Sequence, residues 1–210
     1  AASLKQELKS CPFKILFEAY QNDNWDIHIM NADGSGRKNL TNTPDLHEHY
    51  PQASPDGTKI CFLCDKGDGD KTVRGVYVMN ADGTGRKCVA EKGRDPCWSP
   101  DGTKIAYARH EFDRFRVTDF ASKGINIYDL RTGKSEPIAN SDKVEHLYNL
   151  CWSADGKWII STVHAGMGFK HGIVAIEIEG TRIIDMKLPG CRPSLGADGK
   201  LIANSFDDYC

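Results

Sequence analysis

The 210-residue sequence lacks the features that mark several large classes of protein. No apolar run approaches the roughly 20 residues of a membrane-spanning helix. Lysine and arginine together number 27, against 29 aspartates and glutamates, so no excess of positive charge points to nucleic acid as a partner. Low-complexity tracts are absent, and only Ser3–Lys9 has a helical pattern. The chain is 40% hydrophobic and has to build its core almost entirely from strands.

Motifs of known chemistry are also scarce. The sequence contains no Gly-x-Ser-x-Gly nucleophile elbow and no Cys-x-x-Cys-His haem attachment motif. Cys61 and Cys64 have a Cys-x-x-Cys spacing, but no second pair of this kind accompanies them. The sequence therefore predicts no catalytic residue.

A repeated turn motif dominates what is present. Ser54–Ile60 returns almost unchanged as Ser99–Ile105, and weaker copies begin at Ser153 and Gly196, at offsets of 45, 54 and 43 residues. Each copy carries the Asp-Gly pair of a tight turn between short apolar runs. A repeat of this length with several strand patterns is typical of a β-propeller blade.

A second motif alternates with the first and completes the blade. Asn31–Lys38 returns as Asn80–Lys87, and each copy follows an apolar run. An inner strand thus ends at the first motif, a second strand follows it, and the third and fourth strands flank the second motif. The predicted fold class is all-β, a β-propeller of four-stranded antiparallel blades with about five blades in this chain.

The repeats also predict the domain organisation. A short N-terminal extension covers residues 1–10 and the propeller covers 11–210. The blade units lie near 11–50, 51–95, 96–147, 148–190 and 191–210. The first unit lacks an inner strand, and the last contains only an inner and a second strand. Either the last inner strand closes the first blade, or the chain is part of a larger propeller.

The blade pattern resembles the WD-like repeat of the TolB-type β-propellers. The residues that carry it best are Pro96, Trp98–Ile105 and Val76–Arg86. The resemblance covers nearly the whole chain after residue 11, but nothing here matches the N-terminal α/β domain of TolB. It implies a bacterial, usually exported propeller that binds a partner on one face or down its channel.

The repeated residues have a structural explanation. Asp56, Asp101 and Asp155 are predicted to cap tight turns in which the next residue, a glycine, adopts positive φ. Trp98 and Trp152 are predicted to fill the gaps between neighbouring blades. We therefore interpret both sets as scaffold.

Two features predict export to a periplasmic or extracellular location. The chain begins Ala-Ala-Ser without a methionine, as after cleavage of a signal peptide. It contains eight cysteines, an even number that fits an oxidising compartment. Cys11 and Cys210 bracket the propeller, so a disulfide between them is expected to join its ends.

The repeat register also places a group of side chains on one face of the propeller. Loops that enter inner strands and loops that join second to third strands share the face around the channel mouth. Five of the seven histidines fall there, together with several cations. The candidate ligand-binding residues are His47, His49, Arg94, Arg109, His110, His146, Tyr148, His164 and Arg192.

The favoured interpretation of this face is a recognition surface. Arg94 and Arg192 are suited to bidentate pairing with carboxylates, and Tyr148 to stacking or hydrogen bonding. The predicted function is an exported, non-catalytic binding module for a protein, a peptide or an acidic ligand, without a cofactor. The propeller portion of a larger enzyme is an alternative.

A metal site is a further alternative. Three of His47, His49, His146 and His164 would then hold a divalent metal such as Mn. This arrangement would be similar to the oligogalacturonate lyases, related propellers that act on uronic-acid oligosaccharides, with Arg94 or Arg109 as the base. The acidic turn that contains Asp65, Asp68 and Asp70 is a candidate for Ca²⁺ but lacks the EF-hand pattern.

Overall fold

The computed structural model describes residues 4–110, 122–164, 168–169, 171–188, 190–196 and 202–205. The described chain begins with one short helix, α1 (Leu4–Leu8), where the sequence predicts it, and continues as strands. None of the described helices has the length and apolar character needed to cross a membrane. The strands are β1 (Lys14–Gln21), β2 (Asn24–Asn31), β3 (Lys38–Asn39), β4 (Leu46–Ala53), β5 (Lys59–Lys66), β6 (Val73–Asn80), β7 (Lys87–Ala90), β8 (Gly93–Trp98), β9 (Lys104–His110), β10 (Ser122–Asp129), β11 (Lys134–Pro137), β12 (Tyr148–Trp152), β13 (Trp158–Val163), β14 (Gly172–Glu177), β15 (Ile183–Asp185), β16 (Cys191–Leu195) and β17 (Ile202–Ser205).

The strands form successive antiparallel sheets, which confirms the predicted propeller fold. Strands β4–β7, β8–β11 and β12–β15 make three four-stranded sheets, each with its strands in chain order. The first sheet contains only β1–β3, and the last contains β16 and β17. Because these two strands form a separate sheet, the described part of the chain does not show the first blade closed by the last inner strand.

The core lies between neighbouring sheets. Trp98 in β8 is only 8% exposed and packs on the preceding sheet, against the cross-strand pair Cys61 and Val78. Its indole Nε1 donates a hydrogen bond to the carbonyl of Gln52 in β4, at 3.0 Å. Trp152 packs against the apolar cluster that joins the sheets of β8–β11 and β12–β15. Both tryptophans therefore have the predicted scaffold role.

The aspartates of the repeated motif cap turns as predicted. Ser54 Oγ donates to Asp56 Oδ1 at 2.6 Å, and the Thr58 backbone N–H donates to the same oxygen at 3.0 Å. Gly57 follows with φ +69°, a backbone conformation that glycine adopts without strain. The hydroxyls of Ser99 and Ser153 make the same 2.6 Å bond to Asp101 and Asp155.

The cysteines correct one prediction. Cys11 is a free thiol, so the expected disulfide between Cys11 and Cys210 is not formed; Cys210 itself lies outside the described residues. Cys191 is disulfide-bonded. Cys61 and Cys64 belong to different core clusters, because side chains three apart on a strand face opposite sides of the sheet. Their Cys-x-x-Cys spacing therefore does not make a shared metal site.

Candidate binding site in the channel

Each inner strand contains a β-bulge at the same place in the repeat. The pairing register shifts between His49 and Gln52 in β4, and equivalent shifts occur in β8, β12 and β16. In every bulge, the residue four positions before the start of the turn motif has positive φ. These four bulge residues are Tyr50 (φ 51°), Asp95 (49°), Asn149 (52°) and Arg192 (55°).

The local sequence explains why the strands bulge there. Tyr50, Asp95 and Arg192 are each followed by proline, which has no N–H to donate to a strand ladder. Proline within sheets is confined largely to edges and bulges for that reason. A left-handed backbone costs a non-glycine residue on the order of 1–3 kcal/mol, and such strain persists only where the surrounding structure imposes it.

The bulges redirect side chains into one cavity. All four bulge residues line a cavity of about 370 Å³ in the channel between the inner strands. Its other walls come from Leu63, Arg74, Arg94, Tyr148, His164 and Cys191. A second cavity of about 430 Å³ shares Tyr50, Leu63, Asp95 and Asn149 with the first and continues the channel.

Positive charge dominates the walls of the 370 Å³ cavity. Three arginines, Arg74, Arg94 and Arg192, face a single lining carboxylate, that of Asp95. Arg74 makes a buried bidentate pair with Asp65, with both N–O distances 2.7 Å. Although burial opposes the charge of Arg74, the hydrogen bonds and negative charge of Asp65 raise its pKa. The remaining arginines leave the cavity with an excess of positive charge.

Arg94 and Asp95 form a strained neighbouring pair. The Arg94 Nε atom lies 3.7 Å from Asp95 Oδ2, close enough for attraction but beyond hydrogen-bonding distance. Burial raises the pKa of Asp95, against the opposing effects of Arg94 and of a backbone hydrogen bond from Asn149. The Oδ2 atom is buried, and none of the described residues donates a hydrogen bond to it. Asp95 thus lines the cavity with one carboxylate oxygen that has no donor among the described residues.

Tyr148 and His164 line the cavity, and His171 lies next to both of them. The Tyr148 hydroxyl lies 2.8 Å from His164 Nε2 and 3.3 Å from His171 Nε2. Burial lowers the pKa of His164, and the neighbouring His171 and His146 lower it further. His164 is therefore neutral at pH 7 and is suited to hydrogen bonding rather than to charge pairing.

The structure brings together four of the predicted site residues. Arg94, Tyr148, His164 and Arg192 line the same cavity. The ring of His146 lies at its margin, with its centroid 6.4 Å from that of His164. The sequence places these residues in loops, and for Arg94, Tyr148 and Arg192 that prediction is wrong, because the inner strands β8, β12 and β16 extend to the channel mouth.

His47 and His49 lie on β4, also a strand and not a loop, and turn towards the first sheet. Their ring centroids are 6.3 Å apart, since alternate residues of an extended strand share a face. His47 Nδ1 accepts a hydrogen bond from the Trp25 backbone N–H at 3.3 Å, and the His49 ring lies 5.5 Å from the Trp25 ring. Burial lowers the pKa of His49. Neither histidine lines the 370 Å³ cavity.

The other two predicted residues are at the end of β9. The guanidinium of Arg109 lies directly against Gly124 and does not line the 370 Å³ cavity. The backbone of His110 pairs with Ser122, but its side chain lies outside the part of the structure that is described. These two positions therefore add nothing to the described cavity.

The metal alternative finds no ligand set in the described part of the chain. No group of three His, Cys, Asp or Glu side chains is arranged there to hold an ion. Asp65, which belongs to the predicted Ca²⁺ turn, is buried against Arg74 instead of facing solvent. A metal at this face stays a prediction from the sequence.

Sequence reasoning missed Tyr50, Asp95, Asn149 and Arg74. Counting five residues back from the turn motif reaches Arg94, Tyr148 and Cys191 in the cavity wall, whereas the bulge residues lie four back. The repeated proline was the available signal, because Tyr-Pro, Asp-Pro and Arg-Pro precede three of the four turn motifs at the same distance. Arg74 belongs to β6 and reaches the site only through the pairing of β5 and β6, in which it lies opposite Asp65.

Comparison with known proteins places the fold among the propellers. No family model and no curated protein matches the chain. TolB from Acinetobacter baumannii superposes with a TM-score of 0.67 at 19% identity, over 90% of this chain and 45% of that one. A Mycobacterium tuberculosis puromycin-hydrolysing peptidase gives 0.61 at 13% identity, over 88% and 34%. The nidogen/laminin complex gives 0.56 at 13% identity, over 82% and 58%.

These similarities establish the fold. They confirm that the chain has a propeller of the kind seen in TolB, and the chain spans less than two thirds of the length of each of these structures. A fold shared by TolB, a peptidase and a laminin complex does not specify an activity. The chemistry of the channel is therefore the basis for assigning a function.

Proposed function

We propose that this propeller is a binding module that recognises a carboxylate-bearing ligand, an acidic protein segment or peptide, in its channel. The observation that carries the proposal is the 370 Å³ cavity with three arginines in its wall and one of them, Arg192, exposed. Guanidinium groups bind carboxylates bidentately and with good geometry. The solved structures of TolB and of the nidogen/laminin complex support a propeller module of this shape.

The electrostatic contrast with the rest of the molecule supports the same proposal. The whole chain has a net charge of −2, yet the channel cavity has an excess of arginine. A concave site with an excess of charge of one sign, and with low-dielectric walls, attracts ligands of the opposite sign and speeds their association. We also propose that the protein acts outside the cytoplasm, as the resemblance to TolB-type propellers implies.

The test is binding of a fluorescein-labelled peptide, Gly-Glu-Gly-Glu-Gly, measured by fluorescence anisotropy. We expect saturable binding that weakens as NaCl is raised, because salt screens an exposed charge pair. Arg192→Gln should weaken binding at least about tenfold, since a hydrogen bond to a charged group contributes roughly 1.5–3 kcal/mol.

Arg131→Gln is the matched control, because Arg131 is an exposed arginine in the hairpin between β10 and β11 and does not line the cavity. This variant should bind like the wild type. Absence of binding by the wild type, or equal losses in both variants, would rule out a carboxylate site in the channel.

A further inference from the structure

The four bulge residues occupy one structural position in four consecutive inner strands, yet their side chains differ. Tyr50 is aromatic, Asp95 is an anion, Asn149 is an amide and Arg192 is a cation. Each holds a left-handed backbone that glycine would adopt without strain. Since all four side chains line the same cavity, the fold retains this strain at the positions where the channel presents its chemical groups.

We propose that the four bulge residues read the C-terminal end of a peptide, with each inner strand contacting a different group of the ligand. This inference rests on the proposed carboxylate-binding function and specifies which carboxylate is bound. The terminal carboxylate, the last peptide units and one side chain are assigned to successive blades.

Arg192 is the anchor for the terminal carboxylate. It is exposed at the cavity, and among the described residues no carboxylate lies within ion-pairing distance of its guanidinium. Its position is set by the backbone, because its N–H donates to Thr162 Oγ1 at 3.0 Å. A planar guanidinium matches both oxygens of a carboxylate.

Asp95 and Asn149 suit the peptide units that precede the carboxylate. Asp95 Oδ2 is a buried acceptor that receives no hydrogen bond from the described residues, and a backbone N–H is the donor that a peptide supplies. Asn149 lies between Asp95 and Arg192 in the order of the blades, and its amide both donates and accepts. An isolated side-chain carboxylate offers no N–H to Asp95.

Tyr50 is the last of the four bulge residues in the order that starts at Arg192. Tyr50 is 61% exposed and lines the cavity together with Leu63. A large exposed aromatic ring next to an apolar side chain is suited to contact with an apolar ligand side chain. The ligand therefore runs from its carboxylate at Arg192, past Asn149 and Asp95, to a hydrophobic side chain at Tyr50.

The test compares three peptides by fluorescence anisotropy, each labelled with fluorescein at its N terminus. The first is Gly-Ala-Phe-Ala with a free C-terminal carboxylate, the second is the same peptide as its C-terminal amide, and the third is the amide Gly-Glu-Phe-Ala. We expect the free acid to bind at least tenfold more tightly than either amide. Arg192→Gln should abolish that preference, and Arg131→Gln should retain it.

A second measurement tests Asp95 through the ligand, so that no folding defect can interfere. N-methylation of the Phe N–H of the free acid, the unit that this order assigns to Asp95, should weaken binding to the wild type at least fivefold. Unchanged binding would remove Asp95 from the assigned order and overturn it.

The outcomes separate this inference from the proposed function. If the Glu-containing amide binds as tightly as the free acid, the channel still binds carboxylates but the C-terminal inference is wrong. If none of the peptides binds, both are wrong.

Discussion

The four bulge residues of the channel show how a single backbone angle, φ, determines the direction in which a side chain points. At Asp95, φ is 49°, and the pairing of β8 with β9 shifts register between Arg94 and Cys97. The neighbouring Arg94 is buried in the wall, whereas Asp95 reaches the channel junction shared by both cavities. The bulge residue of each inner strand thus brings its side chain to the proposed binding cavity, and its positive φ strains the backbone locally.

The turn aspartates predict a pH dependence of stability. Hydrogen bonds from Ser54 and from the backbone and hydroxyl of Thr58 lower the pKa of Asp56 from 3.8 to about 2. The unfolded chain therefore takes up its proton first as pH falls, so the stabilisation is complete above about pH 4 and is lost on the way to about pH 2. We expect Asp56→Asn to lower the melting temperature most above about pH 4, with the difference from wild type shrinking towards pH 2.

Asp142→Asn is a suitable control, because Asp142 is an exposed aspartate outside the turn motif. Its effect on the melting temperature should not follow the same pH profile. A constant difference between wild type and Asp56→Asn from pH 6 to pH 2 would show that the carboxylate does not stabilise the turn through its charge.

At the scale of strands and sheets, the sequence predicts the turns and the strands that flank them. It does not predict where the inner strands begin or where they bulge, because these features depend on pairing with other strands. The turn motifs Ser54–Ile60 and Asn80–Lys87 each specify a hairpin from their own residues, so the second, third and fourth strands follow from them. The inner strands begin earlier than the motif suggests, β4 at Leu46 and β8 at Gly93. Their N-terminal halves are strands because they pair with β5 and β9. The bulge then breaks the alternation from which side-chain directions are inferred.

A missing tryptophan distinguishes the first interface between sheets from the next two. Ala53 occupies the repeat position of Trp98 and Trp152. It lines a cavity of about 650 Å³ together with Leu16 and Ile29, which pair across β1 and β2 as Cys61 and Val78 pair beneath Trp98.

We expect Ala53→Trp to fill this cavity and to raise the free energy of unfolding by about 1 kcal/mol, as cavity-filling substitutions commonly do. Urea denaturation monitored by circular dichroism measures the change. The converse substitution, Trp98→Ala, should destabilise by roughly 3–5 kcal/mol, because it empties the equivalent space. A loss of stability in Ala53→Trp would mean that the two interfaces are packed differently despite their matching strand pairs.

At the scale of the whole molecule, the sheets differ in how completely their strands are paired. In the three four-stranded sheets the second strand is flanked on both sides, as β5 is by β4 and β6. In the first sheet β1 has β2 on one side, and none of the described strands pairs with its other edge. Local stability should therefore be lowest where the repeat is incomplete, since protection from exchange depends on pairing and burial.

Hydrogen–deuterium exchange measured by mass spectrometry tests this distribution on the intact chain. We expect amides in peptides covering β1 to exchange at least about tenfold faster than those covering β5, its equivalent in the next sheet, because half of the β1 amides face away from β2. The two strands are the same length, eight residues, and share the Lys-Ile start and a phenylalanine at the fourth position, so they form a matched pair. Equal protection would mean that the free edge of β1 is covered in solution, and the first blade would then be as complete as the others.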